Sequence, residues 1–100
     1  AAAAAVSVAT AARRAAARWV LTGMADTLGG AVLAWLWDQC LMEGWALLAP
    51  LAVELAAYLC RTGRQALEAA GDETAREELL VALAAAMPLR TLAALLPSRA

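Results

Sequence analysis

Leucine recurs along the middle of the chain with a helical rhythm. Leu47, Leu48, Leu51, Leu55 and Leu59 fall on one face of a 3.6-residue repeat. Glu54, Arg61, Gln65 and Glu68 continue a polar face. The spacing predicts a helix from about Ala49 to Thr62, with Pro50 in the first turn, where a missing N–H is harmless. Gly63 interrupts or ends it. Leu79, Leu80, Leu83 and Met87 form a second stripe that Pro88 stops, and Leu89, Leu92, Leu95 and Leu96 suit a last short helix before Pro97.

The helix ends are written in local chemistry. Thr74 followed by Glu77 has the form of a capping box, two side chains satisfying two orphan backbone donors. Gly23 suits the close of a first helix over residues 1–21, and Asp26 or Thr27 suits the cap of a second. That second helix runs from about Leu28 to Glu43, carries Val32, Leu33, Trp35, Leu36 and Trp37, and stops at Gly44. No stretch alternates with period two and no repeat is visible. The expectation is a single all-α domain over 1–100, a bundle of about five Ala/Leu-rich helices with Leu47, Leu51, Leu55, Leu59, Leu79, Leu83 and Trp35 in its core.

Composition changes this picture in one respect. The chain is 64 % apolar, against ~45–50 % for ordinary soluble domains. Thirty of its 100 residues are alanine, so the excess lies in small side chains that favour helix and allow close approach. His, Lys, Asn, Phe and Ile are missing and all eight cations are Arg, a bias that fits very GC-rich coding or a designed bundle with no native function. Residues 1–21 hold Arg13, Arg14 and Arg18 and no acid, the composition of an organellar transit peptide. A plain helix with arginines near its C-terminal end, peripheral to the bundle, accounts for the same residues.

Charge and hydropathy narrow the partners. A net charge of −1 leaves no basic field for nucleic acid. Spanning a bilayer takes ~18–20 apolar residues, whereas the longest uncharged internal runs, 27–37 and 79–89, are eleven residues. Longer candidates each enclose one charge: Asp26 in 19–37, Glu54 in 44–60, Arg90 in 79–97. Each such charge opposes insertion by ~2.5–3.5 kcal/mol at mid-bilayer. Trp19, Trp35, Trp37 and Trp45 suit a core or a membrane interface. Association with a membrane, an organellar one included, and homo-oligomerisation stay open.

The chemistry of an enzyme is hard to assemble from these residues. There is no His, Glu77 and Glu78 point about 100° apart on a helix, and Ser7 and Ser98 lie near the ends with no base beside them. No metal-ligand spacing or phosphate loop occurs, since Gly29-Gly30 lacks the lysine and pattern, so no cofactor, metal or catalytic residue is expected. Cys40 and Cys60 read as two buried thiols in a reducing, intracellular compartment.

One segment resembles a known family. Leu67-Glu68-Ala69-Ala70-Gly71-Asp72-Glu73, preceded by Arg64-Gln65-Ala66, is similar to the death-motif helix of the Bcl family of apoptosis regulators, which reads Leu, three variable residues, Gly, Asp and often an acid. The resemblance implies that Leu67 fills a pocket in a hydrophobic groove of another protein, Gly71 permits close approach and Asp72 pairs with a groove arginine. A second stretch, Leu28-Gly29-Gly30-Ala31-Val32-Leu33-Ala34-Trp35, is similar to the family's first homology region, with Tyr58-Leu59 and the stretch to Gly71 and Leu79 leading into the second. That placement uses Gly71 differently, sets Gly30 where the family has its groove arginine, and sets Glu73 where it has a tryptophan. The functional expectation is a non-enzymatic protein–protein interaction module, of apoptosis-regulator type by resemblance, acting through a helix-in-groove or helix–helix contact. The alternative is a small membrane-associated accessory subunit of a larger organellar or bacterial complex.

Overall fold

The structure is a computed structural model that describes residues 2–96, with side-chain surroundings from Val6 onward; Pro97 and Ser98 lie outside the described residues. It is all-α, with six helices and no strand among the described residues: α1 (Ala2–Thr22), α2 (Gly30–Glu43), α3 (Leu48–Thr62), α4 (Arg64–Ala69), α5 (Glu73–Ala85) and α6 (Leu89–Ala94). A 3-10 turn, Trp45–Leu47, leads into α3. The radius of gyration is 13.4 Å, close to the ~13 Å of a folded 100-residue domain.

Helix α1 is the hub of the bundle. It packs against α3, α5 and α4, and Ala11, Ala15 and Trp19 are fully buried along one stripe with Val8. This corrects the expectation of a peripheral first helix. Alanine at 11 and 15 lets two neighbouring helices approach its backbone closely, so small residues serve as the central seam. Trp19 supplies the bulk that the alanines lack, and its indole N–H donates to Thr27 Oγ1 at 2.9 Å.

The end of α1 is a Schellman closure. Gly23 sits at φ +61° and Met24 at φ +69°. Met24 N–H donates to Trp19 O at 2.8 Å and Gly23 N–H to Val20 O at 3.4 Å. The reversal drives Met24 into the core beside the buried Trp19. A Cβ on Gly23 would approach Trp37 Nε1 to 3.3 Å, so both φ and space reserve the position for glycine. Neither Asp26 nor Thr27 caps α2: Asp26 turns back to Arg18, Thr27 accepts from Trp19, and α2 starts at Gly30 with Gly29 as an N-cap that offers no side chain.

Helix α3 buries the predicted face: Leu48, Leu51, Ala52, Leu55, Ala56 and Leu59. Each buried leucine contributes about 1.5–3 kcal/mol relative to exposure. Leu47, Leu79, Leu83 and Trp35 are only partly buried around this core. On α5 the buried line is Arg76, Leu80 and Ala84, so of the expected stripe Leu80 is buried while Leu79, Leu83 and Met87 are only partly so. Arg76 lies on this buried line with its guanidinium turned inward.

Gly63 ends α3 and α4 follows at once as a separate short helix, so the bundle has one more helix than expected. The capping-box expectation also shifts. The N-cap of α5 is Asp72, whose Oδ1 accepts the Ala75 N–H at 2.8 Å. Aspartate caps at least as well as threonine, and Asp72 already has the extended backbone an N-cap needs. Thr74 is left exposed, and Glu77 is drawn instead to α1.

Candidate interaction surface

The two flanks of α1 differ in chemistry. Toward α5, Arg14 meets Glu73 at 2.6 Å and Glu77 at 3.1 Å. Arg18 pairs with Asp26 and reaches Glu77 at 3.3 Å and Glu78 at 3.2 Å. The hydrogen bonds that the two guanidinium groups donate to carboxylates raise both pKa values, led by Glu73 at Arg14 and Asp26 at Arg18. Burial pushes Asp26 upward, but bonds from Arg18, Thr22 and Thr27 together outweigh it and hold the carboxyl below its usual range. The Arg14/Arg18 pair that gave residues 1–21 their basic character is thus a neutralised helix–helix seam.

Toward α3 the flank is apolar and open. Ala9, Ala12, Ala16, Val53, Ala57 and Cys60 line the middle of a surface groove between α1 and α3. At one end it continues past Val20, Leu21 and Ala49, and at the other past Val8, Arg61 and Arg64. The segments enclose 280, 340 and 450 Å³ from the Val8 end to the Leu21 end. Val53 is 60 % exposed and Leu21 85 %. Arg13 and Arg61 stand on the rim and make no ion pair among the described residues; Arg13 donates only to Thr10 Oγ1 at 3.3 Å. Arg64 is held by Glu68 at 3.3 Å. Glu54, next to Val53, is the acid on the adjoining flank of α3.

Helix α2 carries the second exposed apolar surface. It packs principally on the turn Trp45–Leu47 and buries only Leu36 and Cys40 fully. Trp37, Leu41 and Met42 face solvent together with Trp45. Trp37 and Trp45 meet edge-to-face with ring centroids 6.2 Å apart, and Trp37 Nε1 donates to Gly23 O at 2.8 Å. Trp35 is half-buried, so the tryptophan that fills the core is Trp19.

The residues of the death-motif resemblance do not share one helix. Leu67 is fully buried at the close of α4, Gly71 lies exposed in the bend after it, and Asp72 begins α5 as its cap. Gly71 has neither a left-handed backbone nor a neighbour within 4 Å of an added Cβ, so no steric demand fixes glycine there. Arg76 holds the bend together. Its Nε donates to Leu67 O at 2.8 Å, Nη2 to Glu68 O at 3.2 Å, and Nη1 to Ser7 Oγ at 2.6 Å. A cation over the last carbonyls of α4 satisfies groups that the helix end leaves open. The sequence offered little sign of this, because an arginine on a helix is ordinarily a solvated one.

Among the described residues no group of three or more His, Cys, Asp or Glu could hold a metal. Both cysteines are free thiols, Cys40 buried and Cys60 half-buried, and burial raises both pKa values. One helical segment, Trp45–Thr62, is long and apolar enough to cross a bilayer by length and composition. It contains α3, whose leucines fill the bundle core, and it encloses Glu54 and Arg61. No family model, curated protein or solved structure matches the chain.

Proposed function

We propose that this protein is a non-enzymatic protein–protein interaction module whose α1/α3 groove receives an amphipathic helix. The observation that carries the reading is the groove itself. It is lined by alanines, Val53 and Leu21, it is open along two helices, and it has arginines at its rim. Alanine walls leave room for large side chains on the incoming helix, and Arg13 and Arg61 suit a carboxylate on its flank. A fluorescently labelled synthetic helix with a leucine stripe and an aspartate flank is the probe. Its anisotropy should rise on binding, and Val53→Glu should weaken binding at least tenfold. Equal binding to the wild type and to Val53→Glu, or none to either, would overturn the reading.

The resemblance to apoptosis regulators supplies a second form of the same function, in which this chain donates the helix. It is favoured by Leu67, an anchor of the right type already suited to an apolar pocket. Because Leu67 is buried and Asp72 caps α5, this form requires α4 to leave the bundle. A peptide spanning Thr62–Leu80, titrated against an apoptosis-regulator groove protein, should bind and lose most of its affinity on Leu67→Ala. Absence of binding would remove the donor form and leave the receiving groove untouched. The membrane-associated alternative draws on the Trp45–Thr62 segment and predicts co-flotation with phosphatidylcholine vesicles.

A further inference from the structure

We infer that the helix received by the groove is α2 of a second copy of this chain. The inference rests on the groove reading and names its occupant. Helix α2 exposes one stripe, Ala34, Trp37 and Leu41, flanked by Asp38 and Met42. Its inner face is settled in its own bundle through Leu36 and Cys40, with Val32, Leu33 and Trp35 partly buried, and the stripe lies on the other side. Trp37, Leu41 and Met42 form a ridge of large side chains and the groove is a trough of mostly small ones, so the two shapes are complementary.

The charges match in the same sense. Among the described carboxylates, those of α5, Asp26 and Glu68 are engaged in ion pairs or, for Asp72, in capping. Asp38 makes no ion pair, and it lies beside the exposed stripe of α2. The cations without a carboxylate at the groove are Arg13 and Arg61. Placing the Asp38 half of α2 over the Arg13–Cys60 half of the groove joins them. The surfaces that meet are different on the two copies, so each contact is heterologous.

That asymmetry gives a decisive experiment with the full chain. Analytical ultracentrifugation should show concentration-dependent association of the wild type, weakened by added salt. Leu41→Glu spoils the ridge and Val53→Glu spoils the groove. Both positions are exposed, so both variants should keep the wild-type circular dichroism, and each alone should associate at least tenfold more weakly. Mixed in equal amounts they should associate again, because the intact α2 of Val53→Glu meets the intact groove of Leu41→Glu. Asp38→Arg should weaken association, and Asp38→Arg combined with Arg61→Asp should recover part of it.

A wild type that stays monomeric up to about 100 µM would overturn the inference, since that corresponds to negligible affinity. So would a mixture that associates no better than either variant alone, which would mean that like surfaces meet. The synthetic helix probe is then added to the Leu41→Glu protein, whose groove is intact. Binding of the probe in the absence of self-association overturns the α2 assignment and keeps the groove reading. Loss of both overturns both.

Discussion

Helices α1 and α2 divide the work of the bundle in opposite ways. α1 is built from alanine, arginine and one tryptophan, and it touches α3, α4 and α5. α2 is built from valine, leucine and tryptophan, and it leaves Trp37, Leu41 and Met42 in solvent. Hydrophobicity per residue therefore does not decide which helix becomes the centre. A small-faced helix can be approached by several neighbours at once, and each approach buries the large side chains of the neighbour. A large-faced helix shields its own axis and has room for fewer partners. In this protein α3 and α5 supply the leucines and α1 supplies the space between them.

The strongest test of that comparison is Trp19→Ala. Trp19 is fully buried on α1, so its removal should lower stability by about 3–5 kcal/mol. Urea denaturation of dilute protein measures this, and a loss below half a kcal/mol would show that α1 is not central. Ala15→Leu tests the space itself. Adding bulk at a fully buried alanine should destabilise by about 1–3 kcal/mol, whereas an unchanged midpoint would mean that the helices are not in close contact there.

Arg76→Met separates hydrogen bonding from packing. The methionine keeps most of the stem but removes the guanidinium donors to Leu67 O, Glu68 O and Ser7 Oγ, leaving Leu67 O with the Ala70 N–H at 3.3 Å, which should cost about 1–3 kcal/mol. The loss should fall locally, as faster amide exchange in α4 and the Asp72 bend. On the other side of the comparison, Leu41→Ala at an exposed site of α2 should change the stability of dilute monomer by less than about 0.5 kcal/mol. A loss of several kcal/mol would place α2 in the core after all.

The smallest effect concerns Asp26, in the turn that follows α1. Asp26 titrates below its usual range in the folded protein, so its contribution is present above the unfolded carboxyl pKa of about 3.9. It is lost as pH falls through the lower, folded value. Wild type should therefore lose more stability than Asp26→Asn on acidification below about pH 4. Identical acid profiles for the two proteins would show that the Arg18 contact adds nothing.

The positions of the helices were legible because their causes are local. Gly23, Gly44, Gly63 and Pro88 end segments wherever they stand, and the leucine period of α3 identifies its buried face without reference to any neighbour. The same locality explains the error at α5, where Asp72 and Thr74 are both good caps. The choice between them is the backbone at Asp72, which is extended where the chain bends between α4 and α5. The candidate groove was not legible at all. Its walls are alanines, which read as helix formers in any setting, and its rim arginines differ from Arg14 and Arg18 only in what faces them.

By itself, then, the sequence determined an all-helical chain, the ends of most helices and the inward face of α3, since each follows from nearest neighbours and periodicity. Only the tertiary structure decided that α1 is central, that Trp19 rather than Trp35 fills the core, and that Leu67 and Asp72 are spent on the fold itself. It also decided which arginines are neutralised and which rim a groove. The physical reason is that alanine has little intrinsic preference between core seam and surface, and that an arginine leaves solvent only where the fold brings it acceptors. Their roles are set by the helix that happens to pack against them, and that is a long-range fact.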